Sequence, residues 1–593
     1  MAFGFGFALT AIAKAVGFTP RSLFASGAQG AWYDPSDYTT LFEDSAGTIP
    51  ITTPLEKPVG LMLDKSKGLV LGSELVTNGD FSNGTTGWAA GSSTISVVGG
   101  QLQVQNSGAT YGYAYQRVDV VIGKTYKVTV TITNVSTQGY INLGSSLGNG
   151  SINQTAGPGT INLYFTATST NCYIQLLNIN ANNGIALYDN ISVKELPGNH
   201  AYQTTTTSRP TLSARYNLLT KTEQFDDAVW SKVSTTVATN AAVAPNGTTT
   251  ANKLIETTAS NAYHQAAQAA GGSGGLSAKA SCYIKAAERS NASVLLTDGG
   301  GTNFVFASFD LANGTAGAIQ YAGSGFSAGV ASITHVGSNW YLCSVTGSRS
   351  GVFTPQCYVE INNGTTRQYT GDGTSGIYIW GADLRVANDG IGLPAYQRVN
   401  TATDYDYAGF PPYLKFDGTD DWMATGSIDF TATDKMFVAA GVRKLSDAAA
   451  AGMVLETSTQ WNLNAGAFGL QAPEYIPQQK YIGFVSGGST NTGTGAFTTS
   501  SSFSAPVTFV GTGISDIAAP IQTLRLNGSQ AATAITSQGT GKYGNYPLYI
   551  GRRGGTSYPF NGRLYSLVVC GKTASASEIT STESYINNKT KAY

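Results

Sequence analysis

Alternation with a period of two runs through most of this 593-residue chain. YKVTVTITN at 126–134 alternates polar and apolar side chains, and INLYFTATS (161–169) and YIQLLNI (173–179) behave similarly. Successive side chains of an extended strand point to opposite faces, so such segments read as strands with one face in a core. Gly and Asn interrupt the pattern at short intervals. Many short strands separated by tight turns favour sandwiches or jelly rolls over a parallel, helix-crossed sheet. Helical pattern is scarce: a short stretch at 8–16 and ASEITSTESYINNKT at 576–590. The expected fold class is all-β, built as several β-sandwiches.

Composition narrows the partners. Charged residues make up 12% of the chain, about half the ~25% of an average soluble domain. Hydrophobic residues make up 41%, enough to build cores. Gly, Ser, Thr, Asn and Tyr replace the missing charge, which suits hydroxyl-rich sheet faces and surfaces for neutral sugars. A net charge of −1 without a basic patch argues against nucleic acid. No run reaches the ~18 apolar residues of a membrane span. Five cysteines (Cys172, Cys282, Cys343, Cys357, Cys570) are an odd number without CxxC spacing, in strand-like apolar runs. They read as buried free thiols, which fits folding in a reducing cytoplasm.

The N-terminal MAFGFGFALTAIAKAVGF superficially looks like a signal peptide. It lacks a basic residue before its apolar run, and Lys14 interrupts it. We read it as an attachment arm. Phe3, Phe5 and Phe7 alternate with Gly4 and Gly6, so an extended arm places three rings on one side. An exposed apolar stretch marks a partner surface. The alternative is that the arm covers an apolar patch of the chain's own C-terminal domain.

Two segments read as variants of one module. The first runs from ELVTNGDFSNGTTGW (74–88) to GIALYDNISVKEL (184–196), the second from NLLTKTEQFDDAVW (217–230) to GIYIWGADLRV (376–386). Both open on an apolar pair, a Phe and a Trp, and both close on a Gly-initiated apolar strand. An aromatic–Gln step lies in each, YAYQ (113–116) and AYHQ (262–265), which predicts that Trp88 matches Trp230 and Gln116 matches Gln265. The third segment carries YLKFDGTDDWM (413–423), LRLNGSQAA (524–532), LYIGRRGGTSYPFNGRLYSLVV (548–569) and ASEITSTESYI (576–586).

In that order, these last pieces resemble the concanavalin A-like lectin fold in its laminin-G-like form. GAWYDPSDYTTLFEDSAGT (30–48), PVGLMLDKS (58–66) and GNHAYQTTTTSRPTL (198–212) resemble the leader that precedes this domain in many tailed-bacteriophage and prophage proteins. NGDFSNGTTGW and YDNISV resemble galactose-binding-like carbohydrate-binding modules, with WGADLRV a looser match. Together they imply two jelly rolls inserted in a lectin-like frame. The expected divisions are an arm at 1–29, the leader's first part at 30–69, a jelly roll at 70–197, the leader's second part at 198–214, a second jelly roll at 215–390, a linker at 391–410 and the lectin-like domain at 411–593.

No catalytic constellation emerges. HExxH, GxSxG and P-loop motifs are absent, as is the run of carboxylates on one strand that a concanavalin-like glucanase would carry. No catalytic residue and no metal ligand is expected. Asp417, Asp420 and Asp421 read as a turn, with calcium the lesser option. Glu223, Asp226 and Asp227 read as a polar loop before Trp230, and TGDGTSG (370–376) as a turn. For glycans the candidates are Tyr113 and Tyr115, which share a strand face with Tyr111, and Tyr263 with His264 in the second module. The face is a stacking platform if exposed and a core wall if buried, the latter favoured. A structural role is likewise favoured for His264.

The resemblance implies a non-enzymatic virion protein of a tailed phage, a tail-fibre or receptor-binding subunit in which surface glycans are a candidate ligand. Its expected partners are other virion proteins, met through the arm, and sister chains, with a trimer favoured. A capsid-attached head fibre is the alternative; a secreted glycan-binding adhesin or a polysaccharide depolymerase are alternatives of another class.

Overall fold

A computed structural model describes residues 17–593 except 109–110, 136–138, 149, 151, 180–183, 272–274, 390–391, 448–450, 475–479, 492–493 and 498–502. Phe3, Phe5 and Phe7, and the helix expected at 8–16, lie outside the described residues. The described chain is all-β with a single α-helix, Ala576–Thr590. Ser575 and Glu578 form a capping box at its start, each side chain bonding the other's backbone N–H. Its Ile586 packs with Leu23, Trp32, Phe437 and Val568 on the outside of a sheet.

That sheet has nine strands. Leu55–Pro58, Thr211–Ser213, Tyr413–Asp417, Asn561–Cys570, Lys435–Lys444, Val507–Asp516, Ile521–Leu526 and Ser529–Ala534 follow one another, and Gly30–Tyr33 also pairs with Asn561–Cys570. A second nine-stranded sheet begins with Leu41–Phe42, Leu61–Met62 and Ala201–Tyr202 and continues into Met423–Asp429, Asn545–Ile550 and Met453–Thr457. Apolar side chains of the two sheets meet in one core that includes Tyr33, Met62, Leu212, Phe416, Val438 and Leu567. Segments from three distant parts of the chain thus close one sandwich, here called the frame.

Between the frame's pieces lie two smaller sandwiches. The first pairs the sheet Ile152–Ala156, Gly139–Gly144, Asn171–Asn178, Gly112–Asp119, Ala89–Gly91 with the sheet Gly159–Thr166, Thr125–Val135, Ile185–Glu195, Gln101–Asn106, Ser93–Val98. The second follows the same strand order. Ser231–Val233, Ala262–Ala269, Gln356–Asn362, Asn291–Thr297 and Phe304–Asp310 form one sheet; Thr235–Ala242, Ala251–Glu256, Gly376–Val386, Ser277–Ala286 and Trp340–Ser348 lie in the other.

The likeness extends to single hydrogen bonds, and it corrects the expected match at Gln265. In the first sandwich Gln116 accepts the Thr77 N–H (2.7 Å) and donates to the Thr77 carbonyl (2.9 Å). Gln268 does the same to Thr220, at 2.8 Å both ways. Trp88 donates to the Asn78 carbonyl and Trp230 to the Lys221 carbonyl. Strand pairing agrees: Ala89, after Trp88, faces Tyr115, while Ser231, after Trp230, faces Ala267. Gln116 therefore corresponds to Gln268, and Gln265 takes the place of Tyr113. The aromatic–Gln steps look alike but sit three residues out of register.

Polar joints hold the sandwiches to the frame. Asp64, where the chain leaves the frame for the first sandwich, accepts N–H bonds from Trp32, Ser66 and Asn199. For the second, Gln397 accepts from the N–H groups of Tyr216 and Asn217 and donates to the carbonyls of Ala214 and Asp406. Residues 391–410, expected as a linker, contribute Val399, Tyr405 and Phe410 to a buried cluster with Tyr216, Tyr413 and Tyr565. Residues 392–410 form a packed strap, tied at the joint by the backbone bonds of the Gln397 amide. All five cysteines are buried and free. No helix of the described residues is long and apolar enough to cross a membrane.

Candidate functional site

In strand Gly112–Asp119 burial alternates strictly. Ala114 and Val118 point into the core, so Tyr113, Tyr115 and Arg117 point outward. Tyr115 is centred 5.9 Å from Tyr113 and 6.2 Å from Tyr173 on the neighbouring strand. Three half-buried rings thus lie in a row across two strands, and their phenol oxygens make no hydrogen bond within the described residues. Gly91 makes room for the row's end: a Cβ there would stand 2.3 Å from the Tyr113 ring.

Amides flank the rings. Gln175 stands opposite Tyr115, and Asn142 opposite Gln175. Gln175 donates to the Asn142 side-chain oxygen (3.0 Å) and accepts the Gly148 N–H (2.9 Å). Both amides are buried. The rings offer apolar C–H contact and their phenols hydroxyl recognition on one face, while the buried amides hold the neighbouring loop at Gly148. Tyr111 precedes the strand and is exposed.

The matching face of the second sandwich is closed. Tyr115 is replaced there by Ala267, and Arg367 lies over the face near Tyr263. Its guanidinium lies 4.1 Å from the Phe306 ring centre, 5.5 Å from Phe304 and 5.1 Å from Tyr263. It also makes a two-bond clamp on Glu360, at 2.6 and 2.8 Å. Burial raises the Glu360 carboxyl above the usual range, opposed by Arg367. Tyr263 therefore packs against this arginine instead of belonging to an open platform.

His264 points the other way from Tyr263 and is fully buried. Its two ring nitrogens face the carbonyls of Ser234 (2.7 Å) and Tyr369 (3.3 Å). As a glycan candidate it is corrected by this geometry: the imidazole staples two backbone segments and offers a ligand no atom.

Asp417, Asp420 and Asp421 lie with one oxygen of each within 4.8 Å of the others. Asp417 accepts from the N–H groups of Thr419 and Asp420, Asp420 from the Ser208 hydroxyl, and Asp421 from the Asp417 N–H. Such oxygens suit a hard cation, but the contacts described are those of a turn and of Ser208 in the short helical turn Thr206–Ser208. Burial, then the charges of Asp417 and Asp420, push the Asp421 carboxyl up to about 7. Glu223 accepts the Tyr396 hydroxyl, and the backbone carbonyls of Asp226 and Asp227 hold Lys232.

Sequence reading found Tyr113 and Tyr115 but not Tyr173, Gln175 or Asn142. The alternation of YIQLLNI does place Tyr173 and Gln175 on one face. Nothing local says that this strand lies beside 112–119.

No protein-family model and no curated protein matches the chain. Among solved structures it is similar to a CBM4 (14% identity, 20% of this chain and 99% of the other, TM-score 0.18). It is also similar to the CBM40 of Ruminococcus gnavus IT-sialidase bound to α2,3-sialyllactose (16%, 29% and 95%, TM-score 0.22). A third is the native heptameric SAP-like pentraxin of Limulus polyphemus (10%, 28% and 78%, TM-score 0.23). Each likeness covers less than a third of this chain. The protein belongs, by its own sheets, to the class of multi-sandwich all-β proteins.

Proposed function

We propose that this chain recognises surface glycans through the tyrosine face of its first sandwich and does not transform them. The observation that carries the reading is the outward row Tyr113–Tyr115–Tyr173, whose phenols make no hydrogen bond among the described residues. Aromatic faces with a few placed polar groups are the common composition of small-ligand sites.

The setting we propose is a tailed-phage particle, with the chain as a fibre subunit, the N-terminal arm meeting a neighbouring virion protein and sister chains forming a trimer. Support for that setting is the leader-like sequence at 30–66 and 198–212. Repetition around a fibre axis would turn modest affinity per site into useful avidity. A glycan array probed with the full chain should show at least one glycan whose binding Tyr115→Ala abolishes, with no sugar released from the bound polysaccharide. Unchanged binding by Tyr113→Ala/Tyr115→Ala would overturn the site. Absence of the protein from mass spectra of purified particles would overturn the setting.

A further inference from the structure

A cleft lies where the first sandwich meets the frame, and its Asn153 stands across the strand pair from Asn142, three strands along the sheet from Tyr115. Its cavity measures about 530 Å³, within the ~300–1,000 Å³ of small-molecule sites. We propose that this junction is a separate binding site for a neutral oligosaccharide. The proposal does not rest on the tyrosine-face reading, because the two share none of their residues.

The walls are locked together. The Tyr164 N–H, from the first sandwich, donates to the Ala46 carbonyl of the frame at 2.7 Å. The Tyr164 ring packs on Phe42 of the frame, with centroids 5.2 Å apart. Gly47, at φ +67°, lets that ring approach, since a Cβ would stand 2.4 Å from it. The cleft therefore exists before any ligand arrives, which lowers the ordering cost of binding.

Its chemistry is that of an uncharged polyol site. Leu61, Tyr164 and Tyr202 supply apolar surface. Ser45, Thr168 and Thr204 line it too, and their hydroxyls make no hydrogen bond within the described residues. Gln154 adds an amide whose Nε2 bonds the Thr155 carbonyl, leaving Oε1 to accept from a ligand hydroxyl.

The carboxylate and the imidazole that line the cleft are already engaged. Asp44 accepts from the N–H groups of Thr48 (2.9 Å) and Ile49 (2.8 Å) and from the Thr48 hydroxyl (3.0 Å). His200 accepts the Asp64 N–H at Nδ1 (2.9 Å) and meets the Leu196 carbonyl at Nε2 (3.1 Å). The first bond requires a bare Nδ1, so the ring is neutral. With no free cation in the lining, an anionic sugar would lose hydration without gaining a counter-charge.

An aromatic track leads out of the cleft along the frame. Tyr202 faces Ala424, and Ala424 faces Tyr549, so the two tyrosines share a sheet face across three strands. At ~4.8 Å per strand, this spans roughly 10 Å. Trp422 extends the track, 6.0 Å from Tyr549. A row of rings of that length fits a chain of sugars better than a single residue.

Isothermal titration of the full chain with maltohexaose, cellohexaose, xylohexaose and mannohexaose, and with sialyllactose as the charged comparison, tests this. At least one neutral hexasaccharide should bind and sialyllactose should not bind at the cleft. Thr168→Trp, an exposed position at the cleft, should weaken that binding at least tenfold, and Tyr202→Ala should weaken it as well. Circular dichroism confirms folding of both variants. Tyr115→Ala should leave the cleft's binding intact. Wild-type binding by both cleft variants, or no binding of any neutral hexasaccharide, would overturn the proposal. If Tyr115→Ala alone abolishes binding, the tyrosine face stands and the cleft falls; if Thr168→Trp alone abolishes it, the cleft stands and the tyrosine face falls.

Discussion

Asp389 is the position where one substitution should undock the second sandwich from the frame. Arg443 and Arg563 are direct cross-strand partners on Lys435–Lys444 and Asn561–Cys570. Two like charges face each other there, with side chains 0% and 10% exposed. Asp389, from the tail of the second sandwich, is the anion that both share. Its carboxylate accepts from Arg563 Nη1 at 3.0 and 2.8 Å and lies 3.4 Å from Arg443 Nε. Asp389→Ala removes the shared anion and leaves two buried guanidiniums uncompensated. Breaking a buried pair from one side costs about 3–5 kcal/mol. A chain of three sandwiches does not unfold in one step, so the cost is best read locally. Hydrogen exchange of the two strands should accelerate roughly 10²–10⁴-fold, at about 1.4 kcal/mol per decade. Replacing the whole cluster, Asp389→Leu with Arg443→Met and Arg563→Met, should cost far less, because none of these three positions then buries an unpaired charge. Exchange within threefold of wild type in Asp389→Ala, or a triple variant as damaged as the single one, would refute the reasoning.

Gln116→Ala and Gln268→Ala should each destabilise their own sandwich by about 1–3 kcal/mol, since each strands the backbone N–H and carbonyl of a threonine. Gln265→Ala, on the outer face, should stay within ~0.5 kcal/mol; thermal melts showing equal losses at 265 and 268 would contradict the register that pairs Gln116 with Gln268. Asp421, with its carboxyl held at about 7 against an ordinary 3.8, makes stability fall as pH rises from about 4 to about 7. The unfolded chain ionises first in that window, so deprotonation favours unfolding. Asp421→Asn should flatten this part of the pH–stability curve, and an unchanged slope would show that the carboxyl titrates normally.

Much of the architecture is written locally. Alternation in 126–134 and 161–169 shows which side chains share a strand face, because the period of two is a property of the extended backbone itself. The C-terminal helix is expected at 576–590, and the cap that Ser575 and Glu578 form at its start needs only neighbours three residues apart. That Tyr113 and Tyr115 share one strand face could be read as well, but the core wall favoured for that face is corrected by the structure, which turns both outward.

What sequence alone determined, then, is the all-β class, the final helix and the shared opening of the two inserted sandwiches. Only the tertiary structure decided which strands lie side by side. It set Tyr173 and Gln175 beside Tyr115, and moved the counterpart of Gln116 from Gln265 to Gln268. It also laid Arg367 over the face that Tyr263 occupies, and buried His264 between two carbonyls. These are outcomes of pairing and register between segments tens to hundreds of residues apart. A one-residue slip in register exchanges the buried and exposed faces of a strand, and no local pattern specifies which distant edge a strand will meet.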